Sequence, residues 1–185
     1  MSVVGHALFD TALGVCGIAW GSGGVVAVQL PEADAARTRA RLLKGLAPVP
    51  EVASPPAEVQ AAIEGIRALL NGEARDLHEV PLDMARLTTF QREVYALARA
   101  IPPGQTRTYG DMAHALGDAG LARAVGQAMG HNPFAPVVPC HRVHAAGARA
   151  GGFSAGGGVA TKLRMLQVER ARFGDAPGLF DEESA

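Results

Sequence analysis

Short apolar runs separated by glycine turns fill the first thirty residues of the chain. Val3 to Phe9, Val15 to Trp20 and Val25 to Leu30 are β-rich, and Gly14 and Gly21-Ser22-Gly23-Gly24 punctuate them, so three strands are predicted. The period then lengthens. Glu32 to Leu46 has helical composition, and Val59, Ile63, Ile66 and Leu70 recur at helical spacing. Pro48, Pro50, Pro55 and Pro56 mark a loop, Ser54 is a candidate helix cap, and Asn71-Gly72 is the expected stop. Leu77 to Leu82 is expected to return as a strand, completing a small α/β unit without a chemical motif.

A second unit begins near Thr88. Thr88 with Gln91 fits a capping box, and Phe90, Val94, Leu97 and Ile101 line one helical face until Pro102-Pro103-Gly104 stops it. Thr108 can cap a short helix from Tyr109 to Leu116, closed by Gly117, and Leu121 to Met129 reads as another. Two short helices joined by a glycine-containing turn suggest helix-turn-helix, a pattern that many helix pairs share without meeting DNA. The second helix is more specific. Leu121, Val125, Ala128 and Met129 form its core side, while Ala122, Arg123, Gly126, Gln127 and Gly130 lie opposite. Glycine on an exposed helical face weakens the helix. A face of small residues around one Arg and one Gln fits close approach to a broad surface, a DNA groove or another helix.

Charge sharpens this division. Net charge is −1 over 185 residues, yet residues 1–89 carry −3 (7 basic, 10 acidic), 90–172 carry +6 (10 and 4) and 173–185 carry −4 (0 and 4). A basic segment between acidic ones suits a polyanion contact confined to one domain. With 48% hydrophobic and 19% charged residues the chain reads as globular. It has no apolar run of membrane-spanning length, and neither a secretion signal nor a transmembrane helix is expected. Two cysteines, Cys16 and Cys140, are too few for a disulfide framework and fit a reducing, cytoplasmic location.

The candidate chemistry lies in Asn132-Pro133-Phe134-Ala135-Pro136-Val137-Val138-Pro139-Cys140-His141. A lone cysteine is most often a small buried hydrophobe. Here a histidine follows directly in a segment stiffened by three prolines, and an imidazole can take the proton of a thiol nucleophile. On an extended chain neighbouring side chains diverge, so a water relay or a tight turn at Pro139 is needed.

Pro139-Cys140-His141-Arg142-Val143 resembles the signature of the O6-alkylguanine-DNA alkyltransferases, the methylated-DNA–protein-cysteine methyltransferases. The resemblance runs from about Phe90 to Glu169. Thr108-Tyr109-Gly110-Asp111-Met112-Ala113 resembles the first helix of the family's helix-turn-helix. Arg123-Ala124-Val125-Gly126 with Met129, Asn132 and Pro133 is similar to its recognition helix and hinge. Gly152-Phe153-Ser154, Gly156-Gly157 and Lys162 to Glu169 resemble the active-site lid and last helix. The resemblance implies an α/β (α+β) fold: a small ribonuclease-H-like N-terminal domain over residues 1–85, then a winged helix-turn-helix alkyltransferase domain over 86–173. An acidic tail, 174–185, is expected to be disordered.

The resemblance also implies roles. Cys140 accepts the alkyl group, His141 deprotonates it through a water, Glu169 holds the imidazole, and Asn132 ties the active-site segment to the recognition helix. Tyr109 presses on a phosphate and donates a hydrogen bond in the pocket. Arg123 enters the duplex, with Ala122, Gly126 and Gln127 beside it in the minor groove, where wedging favours base extrusion. The Val143 backbone, Phe153 and Ser154 would contact the extruded base. Phe153 departs from the tyrosine usual in relatives. It keeps the ring and loses the hydroxyl, which puts base preference and rate in doubt.

Attack on an O-alkyl carbon yields a stable thioether, so the expected reaction is single-turnover repair of O6-alkylguanine, and of O4-methylthymine, without a cofactor. Cys16, His6 and His78 lack ligand spacing and no metal is expected. The expected partner is double-stranded DNA and the expected state a monomer. Three rivals remain: a non-catalytic sensor of alkylated DNA, which the presence of Cys140 opposes; a winged-helix regulator, which leaves the Cys-His segment without a purpose; and a Cys-His hydrolase.

Overall fold

The computed structural model describes residues 2–147 and 158–171. Strands β1 (Val3–Thr11), β2 (Gly14–Gly21) and β3 (Gly24–Gln29) form an antiparallel meander in the order β1-β2-β3. The register pairs Leu8 with Gly17 and Ile18 with Val28. Helix α1 (Ala35–Leu42), capped by Asp34, covers one face, where Gly17 leaves room for Leu42. Phe9, Cys16, Ile18 and Trp20 project from the other face into a core shared with Val59, Ile63, Ile66 and Leu70 of α2 (Ala57–Leu70). Burying each such large aliphatic chain contributes about 1.5–3 kcal/mol, which holds α2 on the sheet.

The same core continues into the later helices. Helix α3 (Thr89–Arg99) starts at a complete Thr88/Gln91 capping box and buries Val94, Tyr95 and Ala98. A two-residue strand β4 (Arg107–Thr108) leads into α4 (Tyr109–Ala115), whose own box is Thr108 with Asp111. Gly117 closes it at φ +91°, a conformation that glycine adopts without strain. Helix α5 (Ala122–Gly130) follows a short 3-10 turn and buries Val125, Ala128 and Met129. Strand β5 (Val143–His144) pairs in parallel with β4, and α6 (Val159–Val168) closes the described chain.

Three expectations are corrected. Leu77 to Leu82 is no strand, and only Leu82 bridges to Val25. Leu77 sits at φ +58°, and the carbonyls of Leu77, His78 and Val80 are taken by the Arg99 guanidinium rather than by a sheet neighbour. Nor does Ser54 cap α2. Pro56 occupies that position with no side-chain hydrogen bond, and Gln60 Nε2 instead donates to the Pro55 carbonyl. The predicted helix over 32–46 shrinks to Ala35–Leu42 because Asp34, not Glu32, supplies the cap.

Candidate active site and nucleic-acid interface

The proline-framed segment folds back on itself instead of extending. Cys140 to Arg142 form one 3-10 turn, fixed by Cys140 N–H on Val138 O (2.9 Å) and Arg142 N–H on Pro139 O (2.9 Å). Of the two routes open at the sequence level, a turn at Pro139 is therefore present, and the divergence expected of an extended chain does not apply. Asn132 braces the segment from inside: Nδ2 donates to Val138 O at 2.8 Å and Oδ1 accepts from Phe134 N at 2.9 Å. Its amide is also the hydrogen-bonding neighbour of the Cys140 thiol.

Cys140 is only 4% exposed, and burial pushes its thiol up to about 11, with Asn132 and the ammonium of Lys162 pulling against that rise. At neutral pH only on the order of one thiol in ten thousand is then ionised, so attack needs a base at hand. His141 is next in the chain and fully buried. Its Nε2 lies 2.7 Å from Glu169 Oε1, and its Nδ1 has no partner among the described residues. Burial holds the imidazole below its ordinary 6.5 despite the carboxylate beside it, so it is neutral at physiological pH. A carboxylate accepting from Nε2–H fixes the tautomer that leaves Nδ1 as an acceptor.

Glu169 itself is anchored by Arg142. The guanidinium donates Nη2–H at 2.7 Å and Nε–H at 3.0–3.2 Å to the two carboxylate oxygens, and Nη1–H at 2.8 Å to Ile101 O. Burial alone would raise the Glu169 carboxyl, but His141 and Arg142 overcome it and hold it down to about 2. A guanidinium bound to a carboxylate through two nitrogens fixes the geometry of the pair as well as its charge complementarity.

Tyr109, the first residue of α4, is half-buried with its ring against Gly126 of α5, where a β-carbon would sit 3.6 Å from the ring. Burial and the nearby Cys140 thiol raise its phenol, which stays a proton donor. On α5, Arg123 and Gln127 are exposed, while Ala122 and Gly126 are half-buried. The small face is thus shared: Gly126 makes room for Tyr109, and Arg123 and Gln127 stand clear of it. Val143 is fully buried beyond the turn. The expected lid residues Phe153 and Ser154, and the tail 174–185, lie outside the described residues.

Known proteins resemble this chain in sequence and in fold. The sequence profile described as 6-O-methylguanine DNA methyltransferase, DNA binding domain, matches residues 89–171. A methylated-DNA–protein-cysteine methyltransferase of Methanothermobacter thermautotrophicus is 34% identical over 164 residues, 89% of this chain and 81% of that one. Its counterpart from Mycobacterium bovis is 41% identical over 126 residues, 68% and 74% of the two chains. This chain belongs to the methylated-DNA–protein-cysteine methyltransferases. The crystal structure of Mycobacterium tuberculosis OGT in complex with DNA matches at a TM-score of 0.70 and 32% identity, over 90% of this chain and 92% of that one. The protein is a mixed α/β DNA-repair methyltransferase, and no helix among its described residues is long and apolar enough to cross a membrane.

The structure brings the candidate base His141 against the candidate carboxylate Glu169, one residue from the candidate nucleophile Cys140, and adds two buried cations that the sequence reading leaves out. In the sequence Arg142 stands out only as part of the pentapeptide, and its ion pair appears once Glu169, 27 residues on, folds against it. Lys162 was read only as the start of the last helix. It is 1% exposed, donates Nζ–H to Val143 O at 2.6 Å, and is pushed down to about 8 by burial. Its position, three residues into a helix that would otherwise bury only apolar side chains there, was the available signal. Among the described residues no His, Cys, Asp and Glu groups are arranged to hold a metal ion.

Proposed function

We propose that Cys140 takes the alkyl group of an O6-alkylguanine turned out of a DNA duplex, with His141 as the base. The observation that carries this reading is the His141–Glu169–Arg142 network, with one open imidazole nitrogen on the residue that directly follows a buried thiol. Nδ1 receives the thiol proton through a water, and the sulfur attacks the alkyl carbon in line. The S–C bond forms as the O6–C bond breaks, and the electron pair stays on guanine. Tyr109 donates a hydrogen bond to that departing base. Guanine regains a proton equivalent to the one lost by sulfur, so a neutral base and a thioether remain. Nothing in this balance calls for a cofactor, and a thioether has no ready leaving group, so each molecule acts once.

The supporting surface is α4 with α5. We read α4, α5 and the β4–β5 pair as the winged helix-turn-helix of a domain over residues 86–173, and the sheet with α1 and α2 as a ribonuclease-H-like domain over 1–85. Arg123 enters the stack where the base leaves, with Gln127, Ala122 and Gly126 against the minor groove. The base costs a few kcal/mol to extrude, less when damage has weakened its pairing. Its pocket is lined by the Val143 carbonyl, Phe153 and Ser154. Lys162 already occupies one lone pair of that carbonyl, and the second remains for the base. O4-methylthymine presents the same O-alkyl carbon and is a second substrate. The protein acts as a monomer in the cytoplasm.

Intact-mass measurement after mixing with a duplex containing O6-methylguanine tests this. One methyl group gained per protein, absent in Cys140→Ala, is the expected result. Binding without a mass change would identify a sensor or regulator, and substrate turnover a hydrolase.

A further inference from the structure

The sheet carries no chemistry, yet its β3 edge reaches the active-site segment. Strand β3 is an edge strand, and Val28 faces Ile18 of β2 with its own N–H turned away from that neighbour. This N–H donates at 2.8 Å to the carbonyl of Pro133. Pro133 sits between Asn132, which braces Val138 and neighbours the Cys140 thiol, and Phe134, which is 1% exposed. The Phe134 ring meets Tyr95 edge-on at 6.4 Å, and the Tyr95 hydroxyl donates to Ala128 O of α5 at 2.8 Å. Two branches thus leave Pro133. One runs through Asn132 to the nucleophile, the other through Phe134 and Tyr95 to the helix that carries Arg123.

On the far side of the same segment a cleft of about 300 Å³ separates it from α1, lined by Gln29, Lys44, Arg86 and Pro133 among others. Pro133 thus borders open space on that side, and its carbonyl is held from the sheet by the backbone hydrogen bond of Val28.

We infer that Val28 is a positioning residue for alkyl transfer: its backbone N–H, at the edge of the N-terminal sheet, sets the distance between Cys140 and the recognition helix. The inference rests on Cys140 being the nucleophile. It makes the first third of the chain part of the catalytic scaffold rather than a separate docking module. Reacting atoms must be held close to their attack geometry, and a displacement of 1 Å costs about a hundredfold in rate.

Val28→Pro removes the donor, and proline is tolerated on an edge strand where the N–H faces away from the ladder. Val28→Ala keeps the donor and only truncates a buried side chain. Single-turnover transfer at saturating O6-methylguanine duplex is measured for both, with duplex affinity determined separately. The expected result is a roughly ten- to hundredfold slower saturated rate in Val28→Pro with unchanged affinity, and a rate within about twofold of the parent in Val28→Ala. An unchanged rate in Val28→Pro, equal slowing in both variants, or a loss confined to affinity overturns the inference. If Val28→Pro does not fold, hydrogen exchange of the unmodified protein decides. Protection of the Val28 amide like that of the β2 ladder amides supports the bond, and exchange at open-edge rates overturns it. Transfer persisting in Cys140→Ala would instead remove the assignment of the nucleophile on which the inference stands.

Discussion

Cys16 and Cys140 are both buried and both hard to ionise, one thiol pushed up to about 12 and the other to about 11, each chiefly by burial. Their settings nevertheless differ in kind. Cys16 lies mid-strand in β2 with Thr11 Oγ1 at 3.7 Å as its polar neighbour and apolar core around it. Cys140 sits in a 3-10 turn, with the Asn132 amide and the Lys162 ammonium acting on its thiol and a buried imidazole on the next residue. A buried thiol becomes a nucleophile when a proton acceptor is held in reach, and a low resting pKa is not required. The contrast under our proposal is between a sulfur that fills space and one followed directly by a histidine with an open ring nitrogen.

Removing the acceptor should erase most of that difference. His141→Gln keeps a polar side chain and loses the basic nitrogen. Single-turnover transfer is expected to slow by about 10²–10⁴-fold, measured by quenched incorporation of labelled methyl, with duplex affinity unchanged. Next in size is the anchor. Arg142→Met leaves Glu169 charged and buried without its partner, and urea unfolding should show a loss of about 3–5 kcal/mol.

Acid probes the same network without mutation. Glu169 and His141 both bind a proton less readily in the folded chain than in the unfolded one, so stability falls as pH drops. The Glu169 side chain is only 3% exposed, and its shift from 4.5 to about 2 corresponds to roughly 3 kcal/mol. That contribution is complete above pH 4.5 and is lost as pH approaches about 2. The loss should be visible in denaturant midpoints across that window and smaller in Glu169→Gln. The smallest effect belongs to the other sulfur. Cys16→Ala removes a core atom, and a cost on the order of 1 kcal/mol in stability should accompany full methyl uptake in the intact-mass assay.

What the sequence showed and what it hid follow contact range. The apolar runs of the meander strands, the Thr88/Gln91 box, the Thr108 cap and the stop at Gly117 depend on near neighbours in the chain, and each is readable. Cys140 and His141 were readable because they are adjacent. Arg142 on Glu169, Lys162 on Val143 and Val28 on Pro133 join residues far apart in the chain, and no periodicity encodes such pairs. Leu77 to Leu82 misled for the same reason: Arg99, about twenty residues away, takes the carbonyls that a strand would need.

The central claim is that a neutral His141 takes the Cys140 proton during attack, and the pH dependence of the saturated transfer rate tests it most directly. A buried base predicts a level rate from about pH 7 to about pH 9 and a fall, about tenfold per unit, only once His141 protonates below 6.5. In His141→Gln the plateau should vanish and the rate should climb with hydroxide. A parent protein whose rate also climbs about tenfold per unit toward pH 11, tracking its thiolate, would contradict the account.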